Sequence, residues 1–264
     1  MRHRLAVLLL PVIAGFFVVG CTSDDQTFEV TTTVVSHDTT QDIWVWAPDT
    51  EGSWPMIYAL HGTGGTGDGL AATASSLASH GYVVFSPTWR SEMDAECSYR
   101  YGLSVAEEYG GDPNQPITFI GHSLGASAIL IGGLDDAAYG PGGTYNKCFE
   151  GGARPSLLVP ISGCHYEYEG NEFGFDPVAY SDQGVKIVLV VGTEDTICEP
   201  WQSHDATAAL NDVGYSAELI EVDGGNHANV VFYEIVNDEW MVVPDDPIGQ
   251  EVVDIILDAI DTDH

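Results

Sequence analysis

Apolar residues in this chain gather in short runs that alternate with stretches of helical periodicity. Residues 27–35 and 43–47 are rich in β-branched and aromatic side chains and are separated by a polar turn. That pattern predicts an antiparallel strand pair. Further on, apolar runs at 56–60, 82–87, 116–120, 156–161 and 186–191 are separated by helix-like stretches at 67–80, 96–109, 124–132 and 202–213. A strand at 217–222 and a helix at 248–260 complete the series. In that helix Ile248, Val252, Ile255, Ile256, Ala259 and Ile260 recur at helical spacing and form one core-facing stripe. Short apolar strands alternating with helices predict an α/β fold: a mostly parallel central sheet, opened by the antiparallel pair and covered by helices on both faces. No repeat, low-complexity stretch or linker divides residues 27–264. Residues 134–155 and 164–184 break the alternation; they are loop-like, rich in Gly, Asp and Tyr, and flank the strand at 156–161. Function in an open α/β sheet gathers at the carboxyl ends of the strands, so these loops are a candidate rim or small lid.

The amino terminus reads differently. Arg2 and Arg4 precede an uncharged apolar stretch from Leu5 to Gly20, which at 16 residues is shorter than the ~20 of a membrane-spanning helix. Residues 1–20 therefore read as an export signal. Val18-Val19-Gly20-Cys21 resembles the lipobox of bacterial lipoproteins, in which cleavage occurs just before the cysteine and that cysteine is lipidated. The resemblance implies a lipid-anchored, extracytoplasmic protein, held at the membrane through Cys21, with residues 21–26 as a polar tether and 27–264 as the functional domain.

Charge narrows the partners. The sequence carries 40 Asp+Glu against 7 Lys+Arg, a net charge of −33; losing residues 1–20 removes two arginines and takes it from −33 to −35. A nucleic-acid partner is excluded, since phosphate backbones are bound by clustered Lys and Arg and no basic run follows Arg4. The acidity is that of a solvated surface suited to salty surroundings, and no alternating Asp/Asn calcium loop is present. No cofactor and no metal is expected, and the protein is expected to be a monomer.

Four cysteines remain after Cys21: Cys97, Cys148, Cys164 and Cys198. No CxxC or Cys/His spacing suggests zinc, and an exported chain sits where disulfides persist, so two bridges are expected. Three pairings are possible. Nearness in sequence favours Cys148–Cys164, leaving Cys97–Cys198.

The chemistry concentrates at three places. Gly121-His122-Ser123-Leu124-Gly125 satisfies G-x-S-x-G between a predicted strand and a predicted helix. The chain turns so sharply at such a serine that side chains two residues away on either side would clash, and the turn lifts Ser123 Oγ clear of the backbone. It also aims the Leu124 amide at the place where an oxyanion would form. His122 reads as a residue that packs the elbow. His61-Gly62-Thr63-Gly64-Gly65 follows the strand 56–60, and its backbone can supply the second oxyanion donor, Thr63 or alternatively Gly64. No Lys-[ST] follows, so this does not read as a P-loop for phosphate.

An acid and a base should follow the serine in that order. Asp195 stands in the turn after the strand 186–191, and His227 in the Gly-rich loop after the strand 217–222. Their expected roles are to orient the imidazole and to move the serine proton. The weaker rivals are Glu194, beside Asp195; His204, inside a predicted helix; and His165 on the expected rim with Glu167 and Glu169. Trp89, Trp201 and Tyr166 stand near these loops and are expected to bind substrate.

GHSLG, the HGTGG loop, Asp195 and His227, in this order and setting, resemble the α/β-hydrolase family across residues 27–262. Gly192-Thr-Glu-Asp-Thr-Ile-Cys-Glu-Pro200 and Gly224-Gly-Asn-His227 resemble its dienelactone-hydrolase-like and cutinase-like polyesterase branches. Dienelactone hydrolases proper carry cysteine at the elbow, so Ser123 favours ordinary ester hydrolysis. The resemblance implies a cofactor-free serine hydrolase that cleaves neutral carboxylic esters, small or polymeric, through an acyl-enzyme. A peptidase or acyltransferase on the same scaffold, and a non-catalytic envelope binding protein, are the alternatives.

Overall fold

The computed structural model describes residues 27–36, 41–90, 92–134, 154–168, 171–172, 184–237 and 239–262. Cys21 with the export signal, Cys148, and most of the two expected rim loops lie outside them.

Eight strands form the main sheet: β1 Val30–Val35, β2 Ile43–Pro48, β3 Met56–Leu60, β4 Val83–Pro87, β5 Ile117–His122, β6 Leu157–Ile161, β9 Lys186–Gly192 and β10 Ser216–Val222. Two short hairpins, β7 Glu167–Tyr168 with β8 Asn171–Glu172 and β11 Tyr233–Val236 with β12 Glu239–Val242, stand apart from it. The sheet order is β1-β2-β4-β3-β5-β6-β9-β10. β1–β2 and β2–β4 pair antiparallel, and every later pairing in the sheet is parallel.

Strand residues alternate between two cores, as a period of two requires. Met56, Tyr58 and Leu60 of β3 enter one core, with Ala95 and Tyr99 of α2 (Glu92–Val105), Ile129 and Leu130 of α3 (Leu124–Leu134), and Ala206 and Leu210 of α4 (Pro200–Asp212). Ile57 and Ala59 enter the other, with Ala74 and Leu77 of α1 (Ala71–Ser79) and Val252, Ile256 and Ile260 of α5 (Pro247–Asp261). Three helices therefore cover one face and two the other. Each fully buried Leu, Ile or Val contributes about 1.5–3 kcal/mol, so the two cores dominate stability. The predicted apolar stripe of α5 is realised, and Asp246 caps it by accepting from the Ile248 and Gly249 amides, with Pro247 in the first turn.

The pattern also missed an element. The chain between His227 and α5 forms the β11–β12 hairpin, with Asn237 at φ 53° in its turn. Positive φ is what a tight hairpin turn demands, and Asn tolerates it. Both strands are short and β12 is exposed along its whole length, so neither carries a buried period for the sequence pattern to register.

Candidate active site

β5 delivers Ser123 into α3 through a turn in which the serine takes φ 58°. The flanking glycines are required by close backbone approach. A Cβ on Gly121 would lie 2.2 Å from the Gly125 carbonyl oxygen, and one on Gly125 would lie 2.2 Å from the Leu60 carbonyl oxygen. The Ser123 amide donates to the Ile161 carbonyl of β6 at 3.0 Å, which fixes the strained turn against the neighbouring strand. Ser123 lines a cavity of about 440 Å³ together with the Gly62–Thr66 loop, His122, Ile197, His227, Tyr233 and Trp240. That volume falls in the usual range for small-molecule sites.

Asp195 and His227 come from the loops after β9 and β10, which touch through their backbones: a Cβ on Gly192 would lie 2.2 Å from the Gly225 carbonyl oxygen. His227 Nδ1 donates to Asp195 Oδ2 at 2.8 Å, and both side chains are buried. Asp195 Oδ1 accepts from the amides of Ile197 at 2.9 Å and Cys198 at 3.0 Å. Burial pushes the Asp195 carboxyl up, but the hydrogen bond and charge of His227 and the two amides outweigh it and leave the acid below its ordinary range. An ionised Asp195 holds the proton of His227 on Nδ1 and leaves Nε2 as the basic atom. His227 is pinned from behind as well, because His122 Nε2 donates to the His227 carbonyl at 2.7 Å with the two rings 4.7 Å apart. Burial, and then the neighbouring His227, push His122 down to about 3, so it is a neutral donor. The sequence assigns His122 to packing and does not reveal this hold on His227.

Ser123 Oγ lies 3.8 Å and His227 Nε2 lies 4.0 Å from the same atom, Cys198 Sγ, and no direct Ser123–His227 hydrogen bond is formed. In free active sites this bond is commonly long and closes as substrate seats. Cys198 is bridged to Cys164 at the end of β6, with Cα atoms 4.7 Å apart. This corrects both expected pairings, Cys148–Cys164 and Cys97–Cys198. β6 and β9 are neighbours in the sheet, so their carboxyl-end loops meet although 34 residues separate the cysteines. Closing such a loop stabilises a fold by about 2–4 kcal/mol. Cys97 is also disulfide-bonded.

The third element is the loop after β3. A Cβ on Gly62 would come within 2.8 Å of Ser123 Cβ and 3.2 Å of its Oγ, so only glycine lets this loop reach the serine. His61 holds the loop in place: its Nδ1 donates to the Gly62 carbonyl at 2.7 Å and its Nε2 accepts from the Trp89 amide at 3.2 Å. Burial lowers the His61 pKa against the opposing pull of the Gly62 carbonyl and Asp68, which keeps Nε2 free to accept. Among the described residues neither the Thr63 nor the Leu124 amide is taken by an internal hydrogen bond.

The rivals fall away from this group. Glu194 and His204 are exposed, and His204 pairs with Glu221 at 3.1 Å. His165 is fully buried instead of lying on a rim, beside Ser127 Oγ at 3.3 Å, and burial pushes it down to about 3. The three aromatics expected to bind substrate do not line the cavity. Trp89 is buried and its indole donates to the His61 carbonyl at 3.0 Å, which makes it a prop for the glycine loop. Tyr166 and Trp201 stack on each other, with ring centroids 6.3 Å apart. Their place in the cavity is taken by Tyr233 and Trp240 of the hairpin and by Ile197. A signal for the hairpin was present in Tyr233-Glu-Ile-Val-Asn-Asp-Glu-Trp-Met-Val242, two β-rich runs about an Asn-Asp turn.

No protein-family model and no curated protein matches the sequence. Solved structures do match. Esterase B from Lactobacillus rhamnosis superposes with a TM-score of 0.67 at 15% identity, over 89% of this chain and 85% of that one. An esterase from the hyperthermophilic archaeon Pyrobaculum calidifontis gives 0.62 at 16%, over 88% and 85%. A proposed dienelactone hydrolase from Klebsiella pneumoniae gives 0.64 at 12%, over 88% and 98%. The fold is that of the α/β hydrolases. The four segments described above leave the carboxyl ends of β3, β5, β9 and β10, which places Ser123, Asp195, His227 and the free amides at one end of the sheet.

Proposed function

We propose that this protein is a serine hydrolase that cleaves neutral carboxylic esters. The observation that carries the reading is the 2.8 Å Asp195–His227 hydrogen bond beside a serine held at φ 58° under a glycine loop. His227 Nε2 takes the proton of Ser123 as Oγ attacks the ester carbonyl. The developing oxyanion is met by the Thr63 and Leu124 amides, donors fixed before the reaction begins. His227 then gives its proton to the departing alcohol, and water releases the acyl group by the same steps in reverse. Asp195, kept ionised by His227 and the Ile197 and Cys198 amides, holds the imidazole in the tautomer this sequence needs.

Two of the named structural neighbours are esterases, which supports ester over amide cleavage. Among the described residues no Lys or Arg lines the cavity, and the chain as a whole is strongly negative, which disfavours anionic esters relative to neutral ones. The test compares p-nitrophenyl esters of acetate, butyrate and octanoate with peptide p-nitroanilides. Esters are expected to be turned over while the anilides are left uncleaved. Faster anilide cleavage would make the protein a peptidase.

The lipobox-like segment carries the proposed location: exported, cut before Cys21 and anchored by lipid on that residue. Full-length protein expressed in a bacterial host should partition with the membrane fraction and carry a lipidated amino-terminal cysteine by mass spectrometry. Cys21→Ala should abolish the modification. An unmodified terminus at another residue would contradict the anchor.

A further inference from the structure

Trp240 is 48% exposed, an unusual position for the largest apolar side chain, yet it stands inside the reaction cavity. Its ring lies edge-on to His227 at 6.2 Å, to His122 at 6.3 Å and to Tyr233 at 5.8 Å. The β11–β12 hairpin thus forms an aromatic wall on the flank of the catalytic imidazole, and its register places Ile235 and Val242, both exposed, on the same face as Tyr233 and Trp240. Among the described residues that line the cavity no Asp, Glu, Lys or Arg interrupts the wall.

The side of the ester that meets this wall follows from the chemistry. The carbonyl oxygen is directed to the Thr63 and Leu124 amides, on the glycine-loop side. The leaving oxygen must approach His227 Nε2 to receive its proton, so the alcohol portion lies along the imidazole. We propose that Tyr233 and Trp240 form a subsite for the alcohol portion of the ester and select a flat, uncharged, aromatic group there. The inference rests on the esterase reading and adds to it the class of leaving group. An aromatic ring against Trp240 gains offset or edge-to-face contact that an alkyl chain of similar size does not, and Trp240 itself loses little freedom because His227 and Tyr233 already hold it.

The experiment compares benzyl acetate with cyclohexylmethyl acetate, whose alcohols leave with similar ease and match in size, and ethyl phenylacetate with ethyl cyclohexylacetate, which move the ring to the acyl side. Wild-type protein is expected to favour benzyl over cyclohexylmethyl acetate. Trp240→Ala should lower kcat/KM for benzyl acetate about tenfold relative to cyclohexylmethyl acetate, chiefly through KM, and leave the acyl-side ratio unchanged. Trp240→Phe should restore most of the preference, and inhibition by benzyl alcohol should weaken in the alanine variant. An unchanged benzyl/cyclohexylmethyl ratio in Trp240→Ala, or a change confined to the acyl-side pair, would overturn the assignment while leaving the esterase reading intact. Failure of the wild-type protein to hydrolyse any of the four esters would overturn both.

Discussion

Replacing Ser123 with alanine is expected to lower kcat for p-nitrophenyl acetate by on the order of 10⁵–10⁶-fold, with circular dichroism and melting temperature little changed. The size follows from the role: without Oγ there is no acyl-enzyme, and only substrate binding and the oxyanion amides remain to assist water. The fold should tolerate the change because Oγ has a single neighbour within bonding distance, Cys198 Sγ at 3.8 Å, and the strained turn is held by backbone hydrogen bonds that alanine retains. His227→Ala should cost a comparable factor, since serine and base act as one unit. A serine variant that kept a tenth of wild-type activity would remove Ser123 from the reaction.

The second large effect concerns the acid. Asp195→Asn is expected to reduce kcat by about 10⁴, and the geometry says why. The Ile197 and Cys198 amides both donate to Oδ1, so they will hold the asparagine oxygen at that position. The amide nitrogen is then turned toward His227 Nδ1, where it can only donate. Nδ1 must give up its proton, Nε2 becomes protonated, and the base can no longer accept from Ser123. Glu194→Gln, by contrast, should leave kcat near that of the wild type, because this side chain is exposed outside the cavity. If the glutamate change is the more damaging of the two, the assignment of the acid is wrong.

The fold was legible where local rules and global packing agree. Apolar runs such as Ile57–Leu60 and Ile187–Val191 are buried on both faces, so they read as continuous strands, and the α5 stripe from Ile248 to Ile260 reads as a helix on its period alone. Ser123 was legible because the elbow is a backbone constraint: Gly121 and Gly125 are demanded by atoms 2.2 Å away, and those demands fall at fixed spacing in the chain. Asp195 and His227 could be found by order, since each follows a recognisable strand.

What escaped the sequence depends on which loops become neighbours in space. Cys164 and Cys198 are joined because β6 and β9 lie side by side, a fact of strand order that nearness in sequence does not encode. Trp89, Trp201 and Tyr166 follow strands or loops of the site, as a cavity residue would, but their side chains are spent on the His61 carbonyl and on each other. Trp240 lies on a hairpin that buries little, so its strands carry no strong period, and neither the β-rich runs nor the Asn237-Asp238 turn between them says that the tryptophan will stand beside His227. The role of His122 was hidden for the same reason, because its hydrogen-bond partner is the carbonyl of a residue 105 positions away.

The central claim is that Ser123 is a nucleophile activated by His227 and Asp195, and covalent labelling tests it most directly. The full chain would be treated with a fluorophosphonate, and the adduct located by peptide mapping and mass spectrometry in the wild type and in Ser123→Ala, His227→Ala and Asp195→Asn. One adduct per molecule is expected, on Ser123, absent from the serine variant and formed much more slowly in the other two. Undiminished labelling of Ser123→Ala, or an adduct on any other residue of the wild type, would contradict the account.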